Sequence, residues 1–326
     1  MGSDPIALPL LNFLHSRGGN DYKLVGVISQ PDRPSGRGHK ITANPISVWA
    51  FEKGLSLFRP EKPSEMELEW LRKESIDLVL VMAYGHIIRQ NFLDTPPLGM
   101  INFHGSLLPK YRGASPVEAA VASGDEETGI SLMDMVAKMD AGGVMDQEKV
   151  KISDTDTSES LRIKLGECCV PLIERNLPII LKGKHTFIPQ DESKVTYTRK
   201  IVKEDGWLNF NYPAKTLECR VRALTPWPGG SFKIGDVVIK IGFCSALDID
   251  QIDQEFYPGT VIGADDKGLL VSTGDGVLCL EALQRPGGRM LPIKEFLRGF
   301  PIENGTVLES GPMNSLVSST PFPWKA

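Results

Sequence analysis

Ile101-Asn102-Phe103-His104-Gly105-Ser106-Leu107-Leu108-Pro109 reads as a short buried strand that breaks at Gly105 and runs into a loop. Side chains on a strand alternate between faces, so Asn102 and His104, two residues apart, point to the same side. An amide and an imidazole therefore meet at the carboxyl end of a strand. In open α/β sheets ligands bind in the crevice beyond those ends, which makes the pair a candidate site. An isolated Asn-x-His is more often a hydrogen-bonded core histidine beside a turn former. The surrounding sequence decides between the two readings.

Upstream, Asp77 to Ala83 and residues 23 to 29 read as further strands, and residues 1 to 17 as a glycine turn feeding an amphipathic helix with Leu8, Leu11 and Leu14 along one face. Helices are predicted over 45 to 54, led by Pro45, and over 64 to 74, where Ser64 and Glu67 form a capping box. Downstream come a helix near 115 to 123, strands at 130 to 135 and 144 to 150 around a turn at Lys138 to Gly143, and a helix over 157 to 182 interrupted by Pro171 and Pro178. This alternation predicts an α/β fold with a doubly wound, mostly parallel sheet over residues 1 to 188. Residues 189 to 205 are polar and read as a linker. Five short strands between 231 and 282, with turn dipeptides such as Gly235-Asp236 and Asp275-Gly276, then predict a small β-barrel of the oligonucleotide-binding kind within 206 to 312. The Ser/Pro-rich tail, 313 to 326, is expected to fray.

Composition bounds the function. A chain of 326 residues fits two domains, and 41% hydrophobic with 24% charged residues is ordinary for a water-soluble protein. The net charge of -5 argues against a wholly basic nucleic-acid binder without excluding a local basic patch. No apolar run reaches the length of a membrane span, and the five cysteines contain no C-x-x-C pair, so a reducing cytoplasm is expected and a structural metal is not. G-x-G-x-x-G, Walker A, H-E-x-x-H and G-x-S-x-G motifs are all lacking, which removes the usual signatures of nicotinamide, ATP, zinc-protease and serine-nucleophile chemistry. Among the five histidines, only His104 follows a strand within a polar constellation, so it is the candidate for acid/base work. The segment Gln30-Pro31-Asp32-Arg33-Pro34-Ser35-Gly36-Arg37-Gly38-His39-Lys40 combines glycines with cations, as suits contact with phosphates; a merely solvated loop is the plain alternative.

Taken in order, Gln30 to Gly38, Val81-Met82-Ala83-Tyr84-Gly85, Asn102 to Pro109 with Arg112-Gly113, and Met139-Asp140-Ala141-Gly142 resemble the methionyl-tRNA formyltransferase family. Thr225-Pro226-Trp227-Pro228-Gly229 and Thr273-Gly274-Asp275-Gly276 extend the resemblance over nearly the whole chain. The resemblance implies 10-formyltetrahydrofolate as co-substrate and initiator methionyl-tRNA as acceptor; a monomer is expected. It implies catalytic roles for Asn102, His104 and Asp140. Asn102 can donate to a developing oxyanion, and His104 can shuttle a proton or stabilise that charge. Asp140 would orient the imidazole, although an aspartate before Ala-Gly-Gly is also common turn chemistry.

The same resemblance implies a folate pocket lined by Ser106, Leu107, Leu108, Pro109, Met82, Tyr84 and Gly85, and tRNA contacts from Arg33, Arg37, His39 and Lys40. Lys138-Met139-Asp140-Ala141 departs from the commoner family form Gly-Leu-Asp-Thr while keeping the aspartate. Family members also carry an apolar strand before the turn at Gly2-Ser3-Asp4-Pro5, so a functional polypeptide beginning upstream of Met1 is expected. Alternatives are a formyltransferase acting on an amino sugar nucleotide or glycinamide ribonucleotide, a formylfolate hydrolase, a tRNA-binding protein without catalysis, and a nicotinamide oxidoreductase suggested by the sheet alone.

Overall fold

The computed structural model describes residues 1–19, 21–35, 40–247, 256–265 and 267–323. In chain order the first half forms α1 (Leu8–Arg17), β1 (Gly26–Ile28), a hairpin of β2 (Arg33–Ser35) and β3 (Lys40–Thr42), α2 (Pro45–Glu52), β4 (Ser56–Phe58), α3 (Glu65–Lys73), β5 (Val79–Val81), α4 (Gln90–Leu93), β6 (Met100–His104), β7 (Arg112–Gly113), α5 (Pro116–Ala122), β8 (Glu127–Asp134), β9 (Val144–Lys151) and α6 (Ser158–Leu181). β5 and β6 pair in parallel, as do β1 and β4, while β8 and β9 continue the sheet antiparallel beyond β6. The expected α/β architecture is present, with its parallel strands on one side and an antiparallel hairpin on the other.

Backbone at residues 1–3 links the two parallel pairs: Gly2 N donates to Ile28 O at 3.1 Å and Met82 N to Met1 O at 2.9 Å. The Met1 ammonium donates to Leu80 O, and burial pushes its pKa down to about 5. An apolar cavity of about 250 Å³, lined by Leu10, Leu14, Val27, Leu71, Leu80 and Leu177, lies beside this link. Neither Asn102 nor His104 borders it.

Strand alternation sorts β6 between two cores. Ile101 and Phe103 pack with α1, α2, α5 and α6, whereas Met100 packs with α3 and α4 on the opposite face. Asn102 and His104 share the face of Met100. Helix α6 runs unbroken for 24 residues through Pro171 and Pro178, where the sequence reading expects interruptions. Each internal proline costs about 3 kcal/mol. Against this, Leu161, Leu165, Cys169, Leu172, Ile173, Leu177 and Ile180 are all buried along one stripe, and side chains of this size contribute roughly 1.5 to 3 kcal/mol each. Burial outweighs the lost backbone bonds.

Residues 189 to 205 are more than a spacer. They carry β10 (Tyr197–Thr198), which pairs in parallel with β7 and antiparallel with β17 (Val317–Ser318). The tail therefore does not fray at 315 to 318: Leu316 is buried against Ile201 and Leu224. Two-residue strands have no periodicity to read, so their distant partners are invisible in sequence.

The second domain comprises α7 (Ala214–Ala223), β11 (Gly230–Ile234), β12 (Val237–Leu247), β13 (Val261–Ala264), β14 (Leu269–Ser272), β15 (Val277–Gln284), β16 (Leu291–Pro292) and α8 (Ile293–Gly299). Its sheet is antiparallel in the order β11-β12-β15-β14-β13. Bridges Lys233 to Glu309 and Thr260 to Val307 join its ends through the buried Leu308, closing a barrel around Phe210, Leu217, Phe232 and Leu280. At the joint with the first domain, Arg222 Nη1 donates to Asp156 O at 2.7 Å and Ser158 Oγ to Thr225 O at 2.9 Å.

Candidate active site

At the end of β6 the His104 imidazole is buried, with Nε2 2.9 Å from Tyr111 O. A carbonyl oxygen only accepts, so Nε2 carries the hydrogen and Nδ1 is the nitrogen free to gain or lose a proton. Nδ1 faces Asp140 Oδ2 at 3.7 Å. That separation is longer than a hydrogen bond. The Asp140 carboxylate is held instead by Gly113 N, which donates to Oδ2 at 2.8 Å. A proton arriving on Nδ1 would convert a lone pair opposed to a carboxylate into an ion pair with it. Asn102 is half-buried on the same strand face, and its carboxamide is free to donate to a ligand.

Two glycines let these backbones close up. A Cβ on Gly113, at φ +120°, would lie 2.2 Å from Thr198 O, and one on Gly142 would lie 2.0 Å from Asp134 O. Neither position admits a side chain without displacing backbone. Between them Asp140 adopts φ +48°, a left-handed conformation that non-glycine residues use sparingly and mostly where surroundings impose it.

The loop after β6 is pinned from β8 and β9. Ser131 Oγ donates to Ser106 O at 2.6 Å and accepts from Leu108 N at 3.0 Å, while Gln147 Nε2 donates to Leu108 O at 3.0 Å. Ser106 donates its own hydroxyl to Lys110 O at 2.6 Å. Leu107 and Pro109 remain half-buried beside this loop.

The strand-end turn after β5 behaves differently from expectation at one position. Met82 is buried in the core beneath α6, with Cys169 Sγ 3.6 Å from its sulfur, so its side chain lies on the face away from Asn102 and does not line a pocket there. Tyr84 and Gly85 do lie on that turn: Gln30 Nε2 donates to Tyr84 O at 2.6 Å, and Gly85 has φ +74°. Tyr84 Oη and His86 Nε2 are buried without a hydrogen-bond partner, their rings 5.1 Å apart. Burial raises the Tyr84 phenol well above its ordinary pKa and lowers that of His86.

The residues read as tRNA contacts are only partly within view. Arg33 sits on the exposed β2–β3 hairpin and pairs with Glu61 at 3.2 Å. Lys40 is in β3, and Arg37 and His39 lie outside the described residues. Sequence reasoning missed Tyr111, whose carbonyl fixes the His104 tautomer, and Gln190, which donates to Asp140 O at 2.8 Å. The polar run Gln190-Asp191-Glu192 carried the only available signal and was indistinguishable from a solvated spacer.

The family model described as formyl transferase matches residues 3–170, and the one described as formyl transferase, C-terminal domain, matches residues 200–301. A methionyl-tRNA formyltransferase of Paraburkholderia phymatum is 36% identical over 318 residues, which span 94% of this chain and 95% of that protein. The chain belongs to the methionyl-tRNA formyltransferase family. Another such relative, from Halorhodospira halophila, is 37% identical over 91% of this chain and 94% of its own length. Among solved structures, the sugar 3N-formyltransferase WlaRD superposes with a TM-score of 0.63 at 17% identity, covering 88% of this chain and 97% of that one. At that identity the likeness concerns the fold. The methionyl-tRNA formyltransferase relatives extend over both domains, so the barrel belongs to the matched unit as well as the sheet.

Proposed function

We propose that this protein transfers the formyl group of 10-formyltetrahydrofolate to the α-amino group of methionyl initiator tRNA, with Asn102, His104 and Asp140 acting at the formyl carbon. The observation that carries this reading is the His104 geometry: Nε2 is anchored on Tyr111 O, which leaves Nδ1 turned toward the Asp140 carboxylate. The folate supplies the formyl group as an amide-like carbonyl on nitrogen. As the methionyl amine adds to that carbon, Asn102 donates its carboxamide N–H to the oxygen on which charge grows. His104 takes the amine proton on Nδ1, and Asp140 stabilises the imidazolium. The same nitrogen then returns the proton to the departing nitrogen, so the cycle closes without a covalent intermediate.

Ser106, Leu107, Leu108 and Pro109 form one wall of the folate site and the Tyr84-Gly85 turn another. Arg33 and Lys40 of the β2–β3 hairpin, Arg37 and His39 between them in sequence, and the barrel together hold the tRNA, mainly through phosphates. The protein works as a monomer in the cytoplasm, where charged tRNA and folate meet. The test offers purified protein 10-formyltetrahydrofolate with methionyl-tRNA, with an amino sugar nucleotide, or with neither. Formylation of methionyl-tRNA alone is expected; sugar formylation or release of free formate in preference to it would overturn the reading.

A further inference from the structure

We propose that Gln190, on the segment joining the two domains, is a positioning residue for Asp140 in the reaction. Its amide nitrogen donates to Asp140 O at 2.8 Å and to Gly142 O at 2.7 Å. Its amide oxygen accepts from Arg112 Nε at 3.1 Å and Nη2 at 3.0 Å. These partners fix which way the amide lies, because carbonyls only accept and a guanidinium only donates. Gln190 therefore grips the left-handed residue at 140 and the backbone just after it with one rigid group, 50 residues away in sequence.

Arg112 is wholly buried, with Nη2 2.8 Å from Glu192 Oε1, so the gripping amide is itself held in place by a buried cation. The grip matters because the Asp140 turn has little of its own to define it. It lies between β8 and β9, is closed at its base by Asp134 N donating to Gly143 O at 3.0 Å, carries a bond from Ala141 N to Lys138 O at 3.2 Å, and is tied at its tip by the carboxylate to Gly113 N. Without Gln190 the backbone at 140 can leave its sparsely populated conformation, and the carboxylate then leaves the imidazole. The same segment reaches the other partner of His104: Thr196 Oγ1 accepts from Tyr111 N at 2.9 Å.

This inference rests on the proposed role of Asp140, and the test separates the two. Gln190→Met keeps the volume and loses the amide. Gln190→Glu keeps an acceptor for Arg112 but turns repulsive oxygen toward both carbonyls, and its charge pairing with Arg112 supports folding if the Met variant fails to fold. Both variants are expected to lower kcat about ten- to a hundredfold, as a misplaced group does, with KM values for methionyl-tRNA and formylfolate nearly unchanged. In an Asp140→Asn background, Gln190→Glu is expected to cost no more than about twofold further, because residues acting through one another are not additive. A fully multiplicative loss in that background overturns the positioning role while leaving Asp140 in place. Wild-type kcat in Asp140→Asn overturns the proposed role of Asp140, and this inference with it. Rescue by Gln190→Glu would show that the amide serves only to hold Arg112, which also overturns it.

Discussion

Asn102 and His104 are placed by their immediate neighbours in β6, whereas Asp140 is placed by Gly113 and Gln190, 27 and 50 residues away in sequence. The two arms of one site are built by different physics. On β6, pairing with β5 and β8 fixes the backbone and alternation then fixes where side chains point. On the 135 to 143 turn, a disfavoured backbone conformation is held by hydrogen bonds from the segment that leads into the barrel. Strand-borne chemistry survives local sequence change around it; turn-borne chemistry depends on distant residues that never touch substrate.

The largest test of that contrast is removal of the strand arm itself. Asn102→Ala and His104→Ala are each expected to reduce turnover about a hundred- to thousandfold, the usual cost of losing an oxyanion donor or general base, while tetrahydrofolate binding measured by titration survives. Near-normal turnover in both would dissolve the site. A smaller effect probes the turn arm without touching a reacting group. Gly142→Ala forces a Cβ to within 2.0 Å of Asp134 O unless the turn moves, and displacement of Asp140 should lower kcat about ten- to a hundredfold. Unchanged kcat, with the protein still folded by circular dichroism, would mean that the turn tolerates displacement and the contrast is false.

Weaker still is the expected effect of Arg37→Leu. It should lower kcat/KM for methionyl-tRNA and reduce the slope of log kcat/KM against log salt by about 1, the signature of one lost phosphate contact. Equal loss in a tRNA-independent assay of formylfolate hydrolysis would place this residue in the site rather than on the tRNA.

Asp156, outside both arms, should affect stability and leave turnover alone. Burial would raise its carboxyl, but hydrogen bonds from Lys164, Ser153 and Ser160 prevail and hold it at about 2. A depressed folded-state value means stabilisation is present above the unfolded value of 3.8 and is lost as pH falls through about 2. Asp156→Asn should therefore destabilise the protein by about 2 kcal/mol at neutral pH and flatten acid unfolding between pH 4 and 2, with kcat at pH 7 unchanged. Loss of kcat in step with stability would show that the domain joint it supports through Arg222 reaches the site.

What could be read from sequence follows the same division. The strand 100 to 104, the capping box at Ser64 and Glu67, and the hairpin strands of the barrel were legible because each is written in a local pattern. Asp140 was legible only through family resemblance, since an aspartate before Ala-Gly-Gly is ordinary turn chemistry. Met82 was misread because one residue of strand alternation sends its side chain into the core beneath α6. Gln190, Glu192 and Thr196 could not be read at all: their roles come from pairing with Tyr111, Arg112 and the Asp140 turn, all distant in sequence, and a polar stretch without periodicity looks the same whether it is solvated or packed against a turn. Continuity of α6 through two prolines was likewise decided by tertiary burial.

The central claim is that the strand arm and the turn arm act together in one step at the formyl carbon. Single-turnover formylation of methionyl-tRNA by His104→Ala, by Asp140→Asn and by the double variant tests it most directly. Groups that act as a unit give non-additive losses, so the double variant is expected to be no slower than the worse single one. Losses that multiply would contradict the account, because His104 and Asp140 would then contribute independently.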